Sequence, residues 1–572
     1  MIKDKTQRKK HAKLCGGNKT ETICVKSFLK EVSSPYKAKI CVITLLSLFV
    51  SCFSLVFAYI TKYIVNGAAA GEKNTALFIA IAVGFLSARI IFKCVYNYLV
   101  EKTASKIFVD LRQKVFAALI GSDYAKVSSY HSGELINRLS SDIAEIAQDE
   151  VFIIPSITGL GVQLAGTAVL LFTIDYKFAL LFLAGAFIAA LTIGLYRIKI
   201  KKYRKAVLEK EGQSRSFMQD NVGSIATVKA FNAEQRVLKK SENLLGDLFK
   251  ARLSRAKLSA FTGGIYSFIG NLGLVFAIIY FGAGIIRGAD YGSATAVVLL
   301  LLNVQQPING ITSVISAFYT RVVSAERLIE IMPQESNTQK SEQVCLKNKK
   351  FKKLQVENLT FSYGEKIVLG GVTLEINAGE KVCLSGRSGE GKSTLFKILL
   401  GLYKPLSGEI CAEFENENGL VEKCGANKCF NGLYAYVPQG NFLIAGTVYE
   451  NITFFAEKFA DDEIKKAITA AEAEFVYDLP CGLNTMLSER GGGLSEGQIQ
   501  RLAIARALLS GREFLLFDEA TSALDEQTEK KIIDNICKMT DKTCIFISHR
   551  KAAEEKTERT LVLEDGKITE KK

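Results

Sequence analysis

Six long apolar runs in the first half of the chain constrain its fold more than any other feature of the sequence. Each run is close to the roughly 20 apolar residues that a helix needs to cross a bilayer. The alternative, six buried helices of a large soluble protein, does not suit runs this long and this apolar. The sequence therefore predicts six membrane-spanning helices, at residues 40–64, 76–100, 152–174, 178–197, 261–286 and 293–318.

The charges between the runs predict which side of the membrane each gap occupies. The gaps after the first, third and fifth runs are short and almost without net charge. The N-terminus and the gaps after the second and fourth runs are long and rich in Lys and Arg. Because basic segments stay on the cytoplasmic side, both ends of the chain are expected in the cytoplasm of a multi-pass cell-membrane protein. The net charge of +15 is then largely a topology signal and requires no nucleic-acid partner.

The two basic inner gaps, residues 101–150 and 198–260, have helical spacing and few Pro or Gly breakers. Read as helical hairpins, their arms would each extend roughly 35 Å beyond the bilayer at about 1.5 Å per residue. Stalks of this length suggest mechanical coupling to something below the membrane.

Arg89 lies inside the second apolar run, where a charged side chain is costly. We expect Arg89 to face the bundle interior or a wet cavity, which makes it a candidate for lining a substrate pathway. Hydrogen bonding between helices and snorkelling of the side chain toward the membrane surface are the alternatives.

Neither a secretory leader nor a zinc site is expected. The basic first 39 residues precede an apolar run that is too long for a signal peptide, and no small-residue cleavage site follows it. The 13 cysteines include no C-x-x-C, and the loose group Cys411, Cys424 and Cys429 lacks the usual spacing of zinc ligands. Reduced, buried thiols in a cytosolic domain are the expected state.

Residues 385–394, SGRSGEGKST, are typical of a loop that holds phosphate. They fit the pattern G-x-x-x-x-G-K-[ST] between an apolar strand and a helix, which is the context that phosphate binding requires. Backbone N–H groups would turn toward the phosphate oxygens, Lys392 would reach the β- and γ-phosphates, and Ser393 would supply an oxygen to Mg²⁺. The predicted ATP-binding residues of the loop are Gly386, Arg387, Ser388, Gly389, Glu390, Gly391, Lys392, Ser393 and Thr394.

Two further apolar strands end in candidate catalytic residues. The strand EFLLFDEA at 513–520 ends in Asp518, a candidate magnesium ligand, and Glu519, which can orient or deprotonate the attacking water. An acidic pair after a strand can instead cap a helix, but the phosphate loop favours the catalytic interpretation. The strand KTCIFISHR ends at His549, a candidate contact of the γ-phosphate, although a lone histidine at a strand end is usually structural.

Four short motifs resemble those of ATP-binding cassette exporter half-transporters. They are LSEGQ at 494–498, FSYG at 361–364, VPQG at 437–440 and SALD at 522–525. The resemblance extends from about residue 36 to residue 572. It implies an α-helical membrane domain of six spans with long cytoplasmic extensions, followed by an α/β P-loop cassette. ATP and Mg²⁺ are the implied cofactors.

The resemblance also implies roles for individual residues. Tyr363 matches the aromatic residue that stacks on adenine, Gln439 matches the glutamine that contacts magnesium, and Asp525 matches the carboxylate that links two sites. The signature residues, which close over the γ-phosphate of the opposite cassette, are matched by Ser495, Gly497 and Gln498. One departure stands within the signature, where Glu496 occupies a position that is usually Gly. We expect a working signature, because the residues on both sides are kept.

One phosphate loop and one signature per chain predict that the chain must pair, as a homodimer in preference to a heterodimer with a second half-transporter. The expected activity is ATP-driven export of a hydrophobic, amphipathic or peptide substrate that the sequence does not name. A non-transporting membrane regulator or an ATP-gated channel is the alternative. The predicted domains are a basic segment (1–39), the membrane domain (40–330), a linker (331–354) and the cassette (355–572).

Overall fold

The structure is a computed structural model of the chain. It describes residues 19–71, 75–286, 290–332, 349–416, 420–425, 432–440, 443–456, 459–488, 491–548 and 550–571. The chain divides into two compact units. The membrane unit comprises Met1–Ser122 and Lys126–Pro333, and the cassette unit comprises Asp123–Ala125 and Gln334–Lys572.

The described part of the chain before residue 333 is helical. Its helices are α1 (Lys19–Ser33), α2 (Lys37–Ala70), α3 (Thr75–Ile120), α4 (Tyr124–Val127), α5 (Ser132–Asn137), α6 (Ile143–Ile174), α7 (Tyr176–Gly223), α8 (Ile225–Ala230), α9 (Glu234–Ile286) and α10 (Tyr291–Ile331). A 3₁₀ turn at Ser34–Tyr36 joins α1 to α2, and a π-helical turn at Arg138–Asp142 joins α5 to α6.

Four helical segments among the described residues are long and apolar enough to cross a membrane. They are Cys24–Ala70, Thr75–Ile120, Ser132–Ile174 and Glu234–Ile285. The predicted spans 178–197 and 293–318 lie on α7 and α10, where the apolar stretches within the described residues are shorter. Those stretches are Tyr176–Gly185 and Tyr291–Asn303. The chain is therefore a multi-pass membrane protein, and the count of six spans stays a prediction.

The inner gaps are helical, as their spacing predicts, because the spanning helices continue through them. Helix α3 has 46 residues, α7 has 48 and α9 has 53. At about 1.5 Å per residue each is roughly 70–80 Å long, more than twice the thickness of a hydrocarbon core of about 30 Å. A long part of each helix must therefore lie outside the bilayer.

Helix α1 was not expected from the sequence, which predicted only a basic segment at residues 1–39. Its apolar face, formed by Val25, Phe28, Leu29 and Val32, is buried in one cluster with side chains of α3, α6 and α10. Because apolar residues recur at helical spacing in TICVKSFLKEV, this helix could have been found from the sequence.

Close approach of α6 to α2 depends on glycine. A Cβ atom at Gly159 would lie 2.7 Å from Ser47 Oγ, and a Cβ atom at Gly166 would lie 2.3 Å from Leu55 Cδ1. Small residues of this kind let helices pack closely in a bilayer, where no hydrophobic force drives helices together.

Charged side chains are buried where the start of α6 packs against α10. Arg321 on α10 lies 3.2 Å from Glu150, but Asp149 Oδ2 is buried without a hydrogen-bond partner among the described residues. Burial, and after it the neighbouring carboxylate of Glu145, raise the pKa of Asp149 to about 7. The guanidinium groups of Arg321 on α10 and Arg204 on α7 oppose that rise in pKa without cancelling it.

Asp149→Asn tests this titration. Because the folded-state pKa of Asp149 lies above that of an exposed aspartate, its proton stabilises the fold fully below about pH 4. That contribution is lost as the pH rises through about 7. We expect the thermal unfolding midpoint of Asp149→Asn to fall less between pH 5 and pH 8 than that of the unmodified chain, and to be higher at pH 8.

The matched control is Asp220→Asn, which removes an exposed carboxylate from α7. This control should keep the pH dependence of the unmodified chain. Identical pH profiles for Asp149→Asn and the unmodified chain would show that Asp149 does not titrate in this range.

The cassette unit is an α/β fold. Its strands are β1 (Lys349–Tyr363), β2 (Lys366–Asn377), β3 (Lys381–Ser385), β4 (Ser407–Asn416), β5 (Val421–Gly425), β6 (Tyr434–Val437), β7 (Gly446–Thr447), β8 (Met486–Leu487), β9 (Phe514–Asp518), β10 (Thr543–Ile547), β11 (Arg559–Glu564) and β12 (Lys567–Glu570). Its main helices are α11 (Lys392–Leu399), α12 (Val448–Thr453), α13 (Asp461–Ala470), α14 (Glu496–Leu509), α15 (Glu526–Cys537) and α16 (Lys551–Lys556). Strand β1 begins within the predicted linker 331–354, because Lys349 and Lys350 already pair with β4.

Two sheets organise this unit. An antiparallel sheet has the order β2, β1, β4, β5, and a second sheet has the order β12, β11, β3, β10, β9, β6. In the second sheet the pairs β11–β3, β3–β10, β10–β9 and β9–β6 are parallel. Alternate residues of β9 therefore enter two different cores, Phe514 and Leu516 on one face and Leu515 and Phe517 on the other. The carboxyl ends of the parallel strands meet at one edge of the sheet.

Candidate nucleotide-binding site

The loop between β3 and α11 is shaped by glycines with positive φ. The φ angles are 144° at Gly386, 89° at Gly389 and 105° at Gly391. A Cβ atom at Gly386 would lie 2.4 Å from the carbonyl oxygen of Leu563 on β11, and a Cβ atom at Gly391 would lie 2.7 Å from Val368 Cγ1 on β2. Larger residues would therefore clash at both positions, besides straining the backbone.

Lys392 begins α11 and is only 5% exposed. Its Nζ donates hydrogen bonds to the carbonyl oxygens of Gly386 at 2.6 Å and Arg387 at 2.9 Å. Burial lowers the pKa of Lys392, while the carboxylates of Glu519 and Asp518 act to raise it. The loop thus holds the Lys392 ammonium group at its centre, where its positive charge would attract phosphate oxygens most strongly.

Ser393 and Asp518 join the loop to the end of β9. Ser393 Oγ donates to Asp518 Oδ1 at 3.0 Å, and Tyr436 Oη donates to Asp518 Oδ2 at 3.1 Å. Burial raises the pKa of Asp518, which is 1% exposed, so a cation at this carboxylate would offset an unfavourable burial of charge. Hydroxyl and carboxylate oxygens are ligands that Mg²⁺ prefers, and the pair therefore fits this ion.

Glu519 follows Asp518 in the left-handed backbone region, with a φ of 50°. Its backbone N–H donates to the carbonyl oxygen of Ile547 at 3.1 Å, and its Oε2 accepts a hydrogen bond from Gln439 Nε2 at 2.7 Å. The structure thus brings Glu519, which is predicted to act on the attacking water, into contact with Gln439, which is predicted to contact magnesium. His549 lies outside the described residues.

The remaining loop residues surround this centre. Arg387, Ser388 and Gly389 are exposed, and Glu390 Oε2 accepts from the backbone N–H of Asp565 at 3.0 Å. Thr394 lies in the first turn of α11, and its Oγ1 is 3.4 Å from Tyr363 Oη.

The Tyr363 ring is 45% exposed and lies beside the loop. It stands edge-on to Phe361 and Tyr403, with ring centroids 5.0 Å and 5.6 Å away. These contacts hold the ring in place, and the exposed part of the side chain leaves room for stacking.

The signature forms the start of α14. Ser495 caps this helix, because its Oγ accepts from the backbone N–H of Gln498 at 3.3 Å while Gln498 Oε1 accepts from the backbone N–H of Ser495 at 2.9 Å. Gly497 packs so closely on the next segment that a Cβ atom would lie 3.2 Å from the carbonyl oxygen of Ala523. Glu496 is the exposed first residue of the helix.

Polar side chains, of which Gln500 and Glu529 are buried, hold residues 521–525 in place beside the signature. Gln500, 1% exposed, donates to Ser522 Oγ at 3.0 Å and accepts from the backbone N–H of Ala523 at 3.0 Å. Arg550 donates to the carbonyl oxygens of Ser522 and Leu524, both at 2.6 Å, and pairs with the fully buried Glu529 at 3.0 Å.

Asp525 caps α15 by accepting from the backbone N–H of Thr528 at 2.9 Å. This hydrogen bond holds the pKa of Asp525 below its usual range.

Among the functional residues, sequence reasoning missed Tyr436, Gln500, Glu529 and Arg550. Tyr436 and Arg550 each stand next to a motif, and that adjacency was the available signal.

Two family models match the chain in succession. The model "ABC transporter transmembrane region" matches residues 40–308, and the model "ABC transporter" matches residues 369–522. The chain belongs to the ABC exporter half-transporters. Its cassette unit is accordingly the ATP-hydrolysing domain of this family, and the expectation from the four short motifs is confirmed.

Curated relatives and a solved structure agree with this assignment. The chain is 29% identical over 509 residues to "ABC transporter B family member 1" of Dictyostelium discoideum, covering 87% of this chain but only 54% of that protein. It is 27% identical over 501 residues to an "ATP-dependent lipid A-core flippase" of Francisella novicida, covering 85% of this chain and 83% of the flippase. A bacterial Atm1-family ABC exporter with ATP bound shares the fold, with a TM-score of 0.80, 22% identity, and coverage of 93% and 94% of the two chains.

Substitution of Glu519 tests its expected role as the base. Glu519→Gln keeps the shape of the side chain but cannot accept a proton at neutral pH, so we expect ATP to bind while hydrolysis falls on the order of 10²–10⁴-fold. Lys392→Ala should instead weaken nucleotide binding itself, because it removes the ammonium group held in the loop. Nucleotide occupancy measured beside the ATPase rate separates the two effects.

The control is Glu555→Gln, which removes an exposed carboxylate from α16. It should leave both nucleotide occupancy and ATPase rate unchanged. Hydrolysis by Glu519→Gln at nearly the rate of the unmodified chain would contradict the role of Glu519 as base.

Proposed function

We propose that two copies of this chain form an ATP-driven exporter in the cell membrane, with cassettes and termini in the cytoplasm. The observation that carries the proposal is the convergence of Lys392, Ser393, Asp518 and Glu519 at one sheet edge. This arrangement suits ATP hydrolysis, and it occurs in a chain with membrane-spanning helices. The basic inner gaps support the cytoplasmic placement.

Each side chain has a distinct part in the proposed chemistry. Tyr363 stacks on adenine, the loop amides and Lys392 hold the phosphates, and Ser393, Gln439 and Asp518 hold Mg²⁺. The bound ion neutralises phosphate charge. Glu519 accepts a proton from the attacking water. At the same time the water oxygen bonds to the γ-phosphorus, and the bond from the γ-phosphorus to the ADP oxygen breaks. Inorganic phosphate and ADP are the products, and His549 contacts the γ-phosphate.

Pairing completes the site in this proposal. Ser495, Gly497 and Gln498 close over the nucleotide of the opposite cassette, and Asp525 links the two sites. Because this chain carries a nearly complete motif set, a homodimer is favoured over a heterodimer. Ser495 and Gln498 cap the N-terminus of α14 through reciprocal hydrogen bonds. This ordered helix N-terminus supports a role in binding an anion.

Export of a hydrophobic, amphipathic or peptide substrate is the proposed output. The name of the Francisella relative, a flippase for the lipid A core, supports an amphipathic cargo in particular. Reconstitution of the chain alone tests both assembly and transport. In proteoliposomes the unmodified chain should hydrolyse ATP and move a labelled amphiphile across the bilayer.

Two negative results of this experiment would contradict different parts of the proposal. ATP hydrolysis without movement across a panel of lipids, peptides and drugs would favour a non-transporting regulator. Inactivity of the pure chain that a second half-transporter restores would contradict the homodimer.

Glu496 generates a further prediction. A carboxylate at the first position of α14 stabilises the helix but repels an anion that approaches the same N-terminus. We expect Glu496→Gln to lower the ATP concentration for half-maximal hydrolysis roughly twofold to fivefold, the effect of one exposed charge at a helix end.

Asp461→Asn is the matched control, because Asp461 is the exposed first residue of α13, which has no proposed contact with nucleotide. Its ATP dependence should equal that of the unmodified chain. If Glu496→Gln also leaves the ATP dependence unchanged, the signature does not approach the phosphate as proposed.

A further inference from the structure

The predicted spans contain basic residues and no acidic ones. Lys62, Arg89, Lys93 and Arg197 fall within the six runs, which include neither Asp nor Glu. Lys62 has a counter-charge just outside the spans, since its Nζ lies 3.7 Å from Asp290. Arg197 is the last residue of its run. A second copy of the same chain would bring no carboxylate into the spans either.

Arg89 lies near the middle of the run 76–100. About 16 Å of helix separate it from the cytoplasmic end of that run, which is too far for the guanidinium group to reach the membrane surface. Lys93 follows one turn later on the same helix, nearer to the cytoplasmic end.

The packing of α3 fixes where these cations lie. Phe85 and Phe92, which flank Arg89 in the sequence, both contact Phe53 of α2, with ring centroids 5.5 Å and 5.4 Å apart. Arg89 is half-buried at the edge of this aromatic contact, and Lys93 is exposed. Within the described residues, neither cation has a hydrogen-bond or ion-pair partner.

Apolar side chains adjoin the two cations. Ile90 is 61% exposed and lies three residues before Lys93 on α3, and the half-buried Leu86 lies three residues before Arg89. A ligand that meets this surface would contact a pair of unneutralised cations with its head and hydrocarbon with its tail. Guanidinium groups bind phosphate and carboxylate in a bidentate manner, and this favours Arg89 as the main contact.

We propose that Arg89 and Lys93 of α3 form the headgroup site for an anionic amphiphile, which is the cargo. This inference rests on the proposed export function and names its substrate class. The ligand supplies the negative charge that the spans lack, so that binding removes the cost of an unpaired cation within the membrane. A phosphate, sulfate or carboxylate head on an alkyl chain meets these requirements, whether it comes from a bilayer lipid or from a free amphiphile.

The chain has no tryptophan, and this allows a direct binding experiment. An Ile90→Trp variant carries a single tryptophan, next to Arg89 in the sequence, whose fluorescence can be excited apart from that of the tyrosines. In nanodiscs of neutral lipid, bromine-labelled alkyl phosphate should quench its fluorescence at a concentration about tenfold or more below that needed by the alkyl trimethylammonium compound of equal chain length. Stimulation of the ATPase of the unmodified chain should follow the same preference.

Variants in the same background locate the site. Arg89→Gln should raise the half-quenching concentration of the alkyl phosphate about tenfold or more, whereas Arg89→Lys, which keeps the charge, should raise it by less than about threefold. Lys62→Gln is the matched control, because Lys62 already has Asp290 as a counter-charge, and it should leave the headgroup preference unchanged.

The outcomes distinguish this inference from the proposed function. Equal quenching by anionic and cationic compounds, or an unchanged half-quenching concentration in Arg89→Gln, would overturn it even if the protein transports other cargo. Anion-selective quenching without any ATPase stimulation would support the site and count against coupled export. Competition by anionic phospholipid in the nanodisc would assign the site to a bilayer lipid, and its absence would assign it to a free amphiphile.

Discussion

The hydrogen bond between Ser393 and Asp518 is the contact on which the candidate site depends. It joins the helix that follows the phosphate loop to the end of β9, two segments more than a hundred residues apart in the chain. Parallel pairing of β3 and β9 with the intervening β10 sets its geometry, because the carboxyl ends of these strands then lie at one edge. Lys392, Glu519 and Gln439 take their positions relative to that edge.

Much of this site could be predicted from the sequence, because a few residues encode it locally. The glycines at 386 and 391 allow a backbone that other residues would strain, and apolar strands of five residues place Asp518 at a strand end. Buried networks gave no such signal. Gln500 and Glu529 hold residues 521–525 through hydrogen bonds to backbone and side chains, and only tertiary packing brings those partners together.

In the membrane unit, too, some features could be predicted from the sequence and others could not. Long apolar runs predict helices that span a bilayer, and four such helices are present among the described residues. The run on α10 is interrupted by polar residues, among them Asn303 and Gln305, and there hydropathy alone does not fix the count. Helix α1 was missed because the basic residues of segment 1–39 drew attention away from its apolar spacing, yet Phe28 and Leu29 contribute to a core shared with α3 and α10.

The close packing of Gly386 has a consequence for when the phosphate loop can fold during translation. The Gly386 backbone lies against Leu563 of β11. In the turn after β11, the backbone N–H of Asp565 donates a hydrogen bond to Glu390 of the loop. The phosphate loop is therefore supported by residues synthesised about 180 positions later, beyond the distance over which local folding acts. A nascent chain that ends before β11 has every residue of the loop and lacks the surface that shapes it. Competence to hold nucleotide should thus arise late in translation, after the membrane helices have left the ribosome.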